Sequence, residues 1–310
     1  MTSVVSNVVD GFQRFMAENG DPRTNQWLLM SSPWPLVAIL LTYLWVCTKA
    51  GPRIMAKREP FKLTNVLIIY NFLQMVGSAW LFWEGLDAGW LRDYSYTCQP
   101  VDYSNDPKAM RMAGAVWWYF MFKIVELLDT VFFVLRKKNN QLSFLHMYHH
   151  TMMPVCSWIG VKFLPGGHGT LLGVINCLVH VIMYFYYMVA AMGPQYQKYL
   201  GWKSYVTVIQ LVQFVIVFFH SAQVLFRQCN YPKGIAFLLA LNAILFMQMF
   251  GNFFYHTYVV GPKLRKLGGG KADRADKQRQ AALQNNNEAD SKDHNNEAPV
   301  VPVNGKVKAH

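Results

Sequence analysis

Three histidines, His146, His149 and His150, fall within five residues of the stretch QLSFLHMYHH at 141–150. On an α-helix, spacings of three and four bring all three imidazoles to one side. An imidazole can accept an acyl group as a nucleophile or move a proton as a base. The residues that follow, 151–161, are apolar enough to continue into a membrane. Histidine inside a bilayer is expensive, so a cluster there marks a functional site by default. Surface imidazoles at a helix end are the competing reading, but it leaves the polar stripes of the other apolar segments unexplained.

Those stripes are three. Lys123, Glu126, Asp129 and Thr130 lie within residues 113–135, with the three charges on one helical face. Lys123 and Glu126 can pair, which lowers the cost of burying either; a purely structural ion pair would satisfy this stripe alone. Either carboxylate, Asp129 or Glu126, is expected to orient a catalytic imidazole, as a carboxylate does in a triad. Asn176, His180, Tyr184 and Tyr187 form the next stripe. Tyr186 and Tyr187 also suit an interfacial belt, whereas Asn176 and His180 lie deeper. Thr207, Gln210 and Gln213 form the last, for which polar glue between helices is the plain alternative. Cys156, seven residues past His149, is a second candidate nucleophile, although a buried cysteine is more commonly just a small apolar side chain. No Gly-rich phosphate loop, Ser elbow or HExxH is present.

Composition indicates what must position these groups. Of 310 residues, 53% are hydrophobic and only 15% charged, against about a quarter charged in soluble proteins. The formal charge of +12 sits largely in loops and the tail, which favours basic membrane edges over a nucleic-acid groove. The expected fold is all-α and polytopic. Seven spans are expected, at 34–48, 63–83, 113–135, from the histidine box to about 161, then 171–192, 205–226 and 235–259. Residues 1–30 are read as a lumenal N-terminal segment, either a short helix on the membrane surface or a solvated tail. Asp10, Arg14 and Glu18 interrupt any early apolar core, so no cleavable leader is expected. Residues 31–262 form the seven-span domain, and 263–310, rich in Gly, Lys, Asn and Asp, a disordered cytoplasmic tail.

Basic loops orient the chain. Lys49, Arg53, Lys57, Arg58 and Lys62 follow the first span, Arg136, Lys137 and Lys138 the third, and Lys198 and Lys203 the fifth. These belong in the cytoplasm by the positive-inside rule, with the C-terminus beside them and the N-terminus opposite. His146 lies eight residues past Lys138, roughly 12 Å at helical rise. Depths reckoned this way bring all four polar stripes into the cytoplasmic half of the bilayer. Helices around a polar interior make a chamber, and its basic rim suits a phosphate-bearing ligand.

The blocks KIVELLDT (123–130), HMYHH (146–150), NCLVHVIMYFYY (176–187) and TVIQLVQF (207–214) resemble the signatures of the ELO family of very-long-chain fatty acid elongases. The resemblance covers about residues 30–262 and shows no departure in any block. It implies a seven-span 3-oxoacyl-CoA synthase of the endoplasmic reticulum, with helices 2–7 enclosing an acyl tunnel. The reaction implied condenses an acyl-CoA with malonyl-CoA, giving a 3-oxoacyl-CoA two carbons longer, CO2 and CoA. It also implies no metal or other cofactor, and a reaction centre of His146, His149, His150 and His180. Lys123, Glu126, Asp129, Asn176, Tyr184, Tyr187, Gln210 and Gln213 support that centre, and Arg136, Lys137, Lys138 and Lys203 face the CoA. Gln141 resembles the branch acting on polyunsaturated or very long chains. The implied partners are membrane lipid and the other enzymes of the elongation cycle, with a homo-oligomer open. HxxHH also matches one box of membrane di-iron desaturases and hydroxylases. Those enzymes need several boxes, and the remaining histidines here are isolated. A seven-span transporter or receptor is a further alternative, one that has no need of buried polar stripes at one depth.

Two expectations concern the ends of the bundle. Cys98 and Cys229 fall in loops on the same lumenal side and are expected to form a disulfide; two unpaired thiols are the alternative. Lys306 and Lys308 near the C-terminus form a dilysine-type retrieval signal for the endoplasmic reticulum, with chance in a Lys-rich tail as the competitor.

Overall fold

The computed structural model describes residues 2–261; the expected disordered tail at 263–310 and its Lys306 and Lys308 lie outside the described residues. The chain divides into two compact units, Met1–Phe253 and Phe254–His310. In the second, a π-helical turn covers Tyr255–Val260. Among the described residues there is no strand.

The helices are α1 (Thr2–Asn19), α2 (Trp34–Trp45), α3 (Gly51–Ala56), α4 (Thr64–Gly85), α5 (Pro107–Val125) and α6 (Leu127–Leu135). They continue with α7 (Phe144–Phe163), α8 (Thr170–Ala191), α9 (Pro194–Gln197), α10 (Lys203–Gln223) and α11 (Lys233–Phe254). Among the described residues, five stretches are long and apolar enough to cross a membrane: Trp34–Ala56, Thr64–Trp90, Thr170–Ala191, Lys203–Phe226 and Lys233–Val260. The stretches expected as third and fourth spans, α5–α6 and α7, are not among them. They carry the charged residues and the histidine box, which lower their apolarity.

Burial on these helices is inverted relative to a soluble protein. On α4, Val66, Ile69, Leu73, Val76, Trp80 and Trp83 are exposed at helical spacing, whereas Tyr70, Asn71, Gln74 and Ser78 are buried. On α8, Leu178 and Phe185 face outward while Asn176, His180 and Tyr184 are inside. An apolar exterior around a polar interior is what a lipid solvent selects. The most extensive helix pair is α4 with α8; α5 packs along α7, and α10 along α8.

One end of the bundle is strapped. Cys98 and Cys229 are joined, with Cα atoms 5.7 Å apart. Asp21 N donates to Lys162 O at 2.7 Å, and His168 N to Gln99 O at 2.7 Å. Arg23 is held by Asp21 and donates to the carbonyls of Asp102 and Ser104. The rings of His168 and His220 stack at 3.7 Å, and burial lowers the His168 imidazole below its usual range. Gly167, at φ 71°, passes so close to Val101 and Gln99 that a Cβ would meet atoms at 2.9–3.0 Å.

Candidate active site

The third expected span is not one continuous helix. It breaks at Glu126, between α5 and α6. Asp129 N turns to Glu126 O at 3.1 Å, so Val125 O loses its usual donor four residues on. Tyr70 OH from α4 donates to that carbonyl at 3.4 Å, and Gln74 Nε2 donates to Tyr70 OH at 3.1 Å. In the membrane a freed carbonyl is costly unless satisfied in this way. Tyr70 and Gln74 were not among the expected site residues, although their i, i+4 spacing, continued by Ser78, was the signal available in the sequence.

At the break lies a network centred on the buried Lys123, Glu126 and Asn176. Lys123 Nζ donates to both oxygens of Glu126, at 2.8 and 3.0 Å, and to Asn176 Oδ1 at 3.0 Å. Tyr119 OH donates to the same Asn176 oxygen at 2.9 Å, and Asn176 Nδ2 reaches Gln213 Oε1 at 3.4 Å. Glu126 Oε1 also lies 3.1 Å from His180 Nδ1. An Nδ1–H aimed at that carboxylate would leave His180 Nε2 as the base or acceptor, the arrangement a carboxylate imposes in a triad. Asp129 Oδ2 accepts from Tyr184 OH at 2.9 Å. Both carboxylates therefore face α8, and the imidazole beside Glu126 is His180 rather than one of the box histidines. Their side chains point across to His180 and Tyr184, because α8 packs against α4 and α5.

The histidine box opens α7. Ser143 caps that helix, its Oγ accepting from His146 N at 3.2 Å, so the three imidazoles stand on its first two turns. His146 Nε2 is 2.8 Å from Thr130 Oγ1, which is 2.8 Å from Tyr43 OH on α2. The His146 and His150 rings are 4.2 Å apart; His149 lies against His150 at 5.3 Å and Phe246 at 5.4 Å. The half-buried His149 has no hydrogen-bond partner among the described residues. Pro154 inside α7 cannot donate to the carbonyl of His150, so that carbonyl lacks its usual helical donor just beyond the box.

The remaining expected residues lie at the margins. Gln210 Nε2 reaches Met183 Sδ at 3.7 Å rather than the Asn176 network. Tyr187 is 42% exposed, its ring 6.2 Å from that of Tyr184, while Tyr186 is the buried member of that pair. Arg136, Lys137 and Lys138 end α6, with Lys137 at φ 53°, and exposed Lys203 opens α10. None of these four side chains forms an ion pair among the described residues. Nor, among the described residues, do three or more His, Cys, Asp or Glu converge as a metal site.

An apolar cavity of about 210 Å³ runs between α5, α7, α8 and α11. Tyr119, Met153, Cys156 and Cys177 line it near the polar network, and Leu164, Gly169 and Tyr231 line it toward the strapped end. Met153 is one turn beyond His149, and Tyr119 is the donor to Asn176. The cavity and the network thus share a wall.

A family model described as the GNS1/SUR4 family, ELO, matches residues 28–266. A very long chain fatty acid elongase of Aedes aegypti is 48% identical over 273 residues, covering 88% of this chain and 76% of that protein. Very long chain fatty acid elongase 7 of Drosophila melanogaster is 51% identical over 251 residues, covering 81% and 76%. Very long chain fatty acid elongase 1 of Homo sapiens is 45% identical over 259 residues, covering 83% and 92%.

Proposed function

The chain belongs to the ELO family, and from that premise we propose that it is a very-long-chain 3-oxoacyl-CoA synthase. It condenses a long-chain acyl-CoA with malonyl-CoA to give a 3-oxoacyl-CoA two carbons longer, CO2 and CoA. The observation that carries this reading is the shared wall: Tyr119 lines the apolar cavity and donates into the network that holds His180. An acyl tail fits such a cavity while its thioester lies among the imidazoles.

The proposed mechanism has two halves. His149, with no hydrogen bond among the described residues to hold its lone pair, attacks the acyl-CoA thioester. The C–S bond breaks, an acyl-imidazole forms and CoA leaves as the thiol. Malonyl-CoA then loses CO2, and the enolate carbon attacks the acyl carbonyl and expels the imidazole. His180 Nε2, its ring fixed through Nδ1 by Glu126, stabilises the enolate or positions the malonyl group. Lys123 and Tyr119 hold the Asn176 side chain, and Gln213 accepts from it. The basic residues Arg136, Lys137, Lys138 and Lys203 receive the CoA phosphates of both substrates in turn, which gives ping-pong kinetics.

In this reading α5–α6 and α7 also cross the membrane, so that seven spans carry the chain from a lumenal N-terminus to a cytoplasmic C-terminus in the endoplasmic reticulum. No metal or cofactor is required, and the later reduction and dehydration steps fall to other enzymes. Turnover of radiolabelled malonyl-CoA by purified protein, across a panel of acyl-CoAs, tests the reaction. Acyl-CoA supplied alone should release about one CoA per enzyme and leave an acyl adduct on the peptide carrying residues 146–150. Release of no CoA, with no adduct, would show that the covalent route is wrong. An adduct on Cys156 would move the nucleophile and keep the order.

A further inference from the structure

α2 is almost wholly apolar, yet Tyr43 on it is 5% exposed and turned inward. Its hydroxyl is 2.8 Å from Thr130 Oγ1 and donates to Met147 Sδ at 3.6 Å. Thr130, fully buried on α6, is in turn 2.8 Å from His146 Nε2. Three helices thus meet in one chain of polar atoms that begins and ends on α7.

The protons along this chain can be counted. A thioether sulfur only accepts, so the Tyr43 proton points at Met147. The Thr130 proton then goes to Tyr43 OH, and Thr130 Oγ1 is left to accept from His146 Nε2–H. The reverse polarity would strip Met147 Sδ of its donor. It would also place the His146 proton on Nδ1, for which no acceptor exists among the described residues. The favoured polarity leaves Nδ1 of His146 as an acceptor, in a ring only 4.2 Å from that of His150.

We propose that Tyr43 is a positioning residue that acts through Thr130 to hold His146 in its Nε2–H tautomer, leaving Nδ1 free to take a proton within the histidine cluster. The juxtaposition also gives the first apolar helix a place in the chemistry, beyond its packing. An imidazole's tautomer is set by the bond its other nitrogen makes, and here hydroxyls make that bond.

The kinetic part of the test rests on the elongase reading; the spectroscopic part does not. Tyr43→Phe and Thr130→Val each remove one hydroxyl at nearly constant volume. Each is expected to lower kcat about tenfold with KM little changed, the modest end of acid–base effects. Because the two act as one unit, the double variant should be no worse than Thr130→Val alone. Thr130→Ser, which keeps the hydroxyl, should restore wild-type kcat. In the full-length protein with 15N-labelled histidine, the His146 resonances should report one Nε2–H tautomer, and a mixture in Tyr43→Phe. An unchanged kcat in Tyr43→Phe, multiplicative losses in the double variant, failure of Thr130→Ser to rescue, or an Nδ1–H tautomer in the wild type would each overturn the proposal. If the wild type turns over no malonyl-CoA, the elongase reading fails, and the spectrum still decides the role of Tyr43.

Discussion

His180 and His146 stand in one site and are anchored by opposite means. His180 is held by a carboxylate that is itself held by an ammonium, and both charges are almost completely buried. His146 is held by two neutral hydroxyls and a thioether. The difference follows from the neighbours. On the His180 side, Lys123, Tyr119 and Asn176 complete the hydrogen bonds that a buried carboxylate and ammonium require. On the His146 side the hydroxyls come from Thr130 on α6 and Tyr43 on the apolar α2, and an apolar stretch can offer a hydroxyl far more cheaply than a charge. A charged anchor fixes geometry firmly but fails as a whole when one member is lost. A neutral anchor leaves no charge stranded when a member is lost.

The largest effect should come from Glu126→Ala. It removes the His180 anchor and strands Lys123, and breaking a buried pair this way costs about 3–5 kcal/mol. Thermal unfolding in detergent should fall sharply, and turnover should drop by roughly a thousandfold or more, the scale on which losing a carboxylate orienter acts. Adding Lys123→Met should recover stability and leave turnover low. If the double variant recovers both, the pair serves the fold alone and the contrast between the two anchors collapses.

An intermediate effect is expected at Tyr184→Phe. It takes from Asp129 its bond to α8 but leaves the Lys123–Glu126 pair intact, so the loss should be about 1–3 kcal/mol. A loss as large as that of Glu126→Ala would mean that Asp129, rather than Glu126, is the principal charged anchor. The smallest effect is expected outside both anchors. Lys137 closes α6 in a left-handed conformation, and Lys138 N reaches back to Phe133 O at 2.9 Å. Glycine suits that position, so Lys137→Gly should raise stability by up to about 1 kcal/mol. If the loop binds CoA phosphates, KM for acyl-CoA should rise severalfold with kcat unchanged; a fall in kcat alone would remove Lys137 from the binding surface.

Much of the site is legible in the chain because helical periodicity is a local property. The Lys123–Glu126 pair is three residues apart on one helical stretch. The faces carrying Asn176, His180 and Tyr184, and the box itself, are readable from spacing. Cys98 and Cys229 are readable as a pair once the basic loops orient the chain, although 131 residues separate them. The break at Glu126 is not legible: no proline or glycine marks it, and it depends on Tyr70 of another helix to receive the freed carbonyl. Tyr43 is illegible for a different reason, since a single tyrosine in an apolar run reads equally well as an interfacial anchor.

The sequence by itself determined an all-helical membrane protein, its family, and the polar faces that carry Lys123 and Glu126, Asn176 and His180, and the histidine box. All of these follow from composition, short-range spacing and ordered blocks of residues. Only the tertiary structure decided the partners: Glu126 with His180 rather than with the box, His146 with Thr130 and Tyr43, Gln213 but not Gln210 with Asn176. Periodicity tells which way a side chain points from its own axis, whereas a hydrogen bond depends on which helix lies opposite and at what height. That is settled by packing among segments distant in the chain, and no local pattern encodes it.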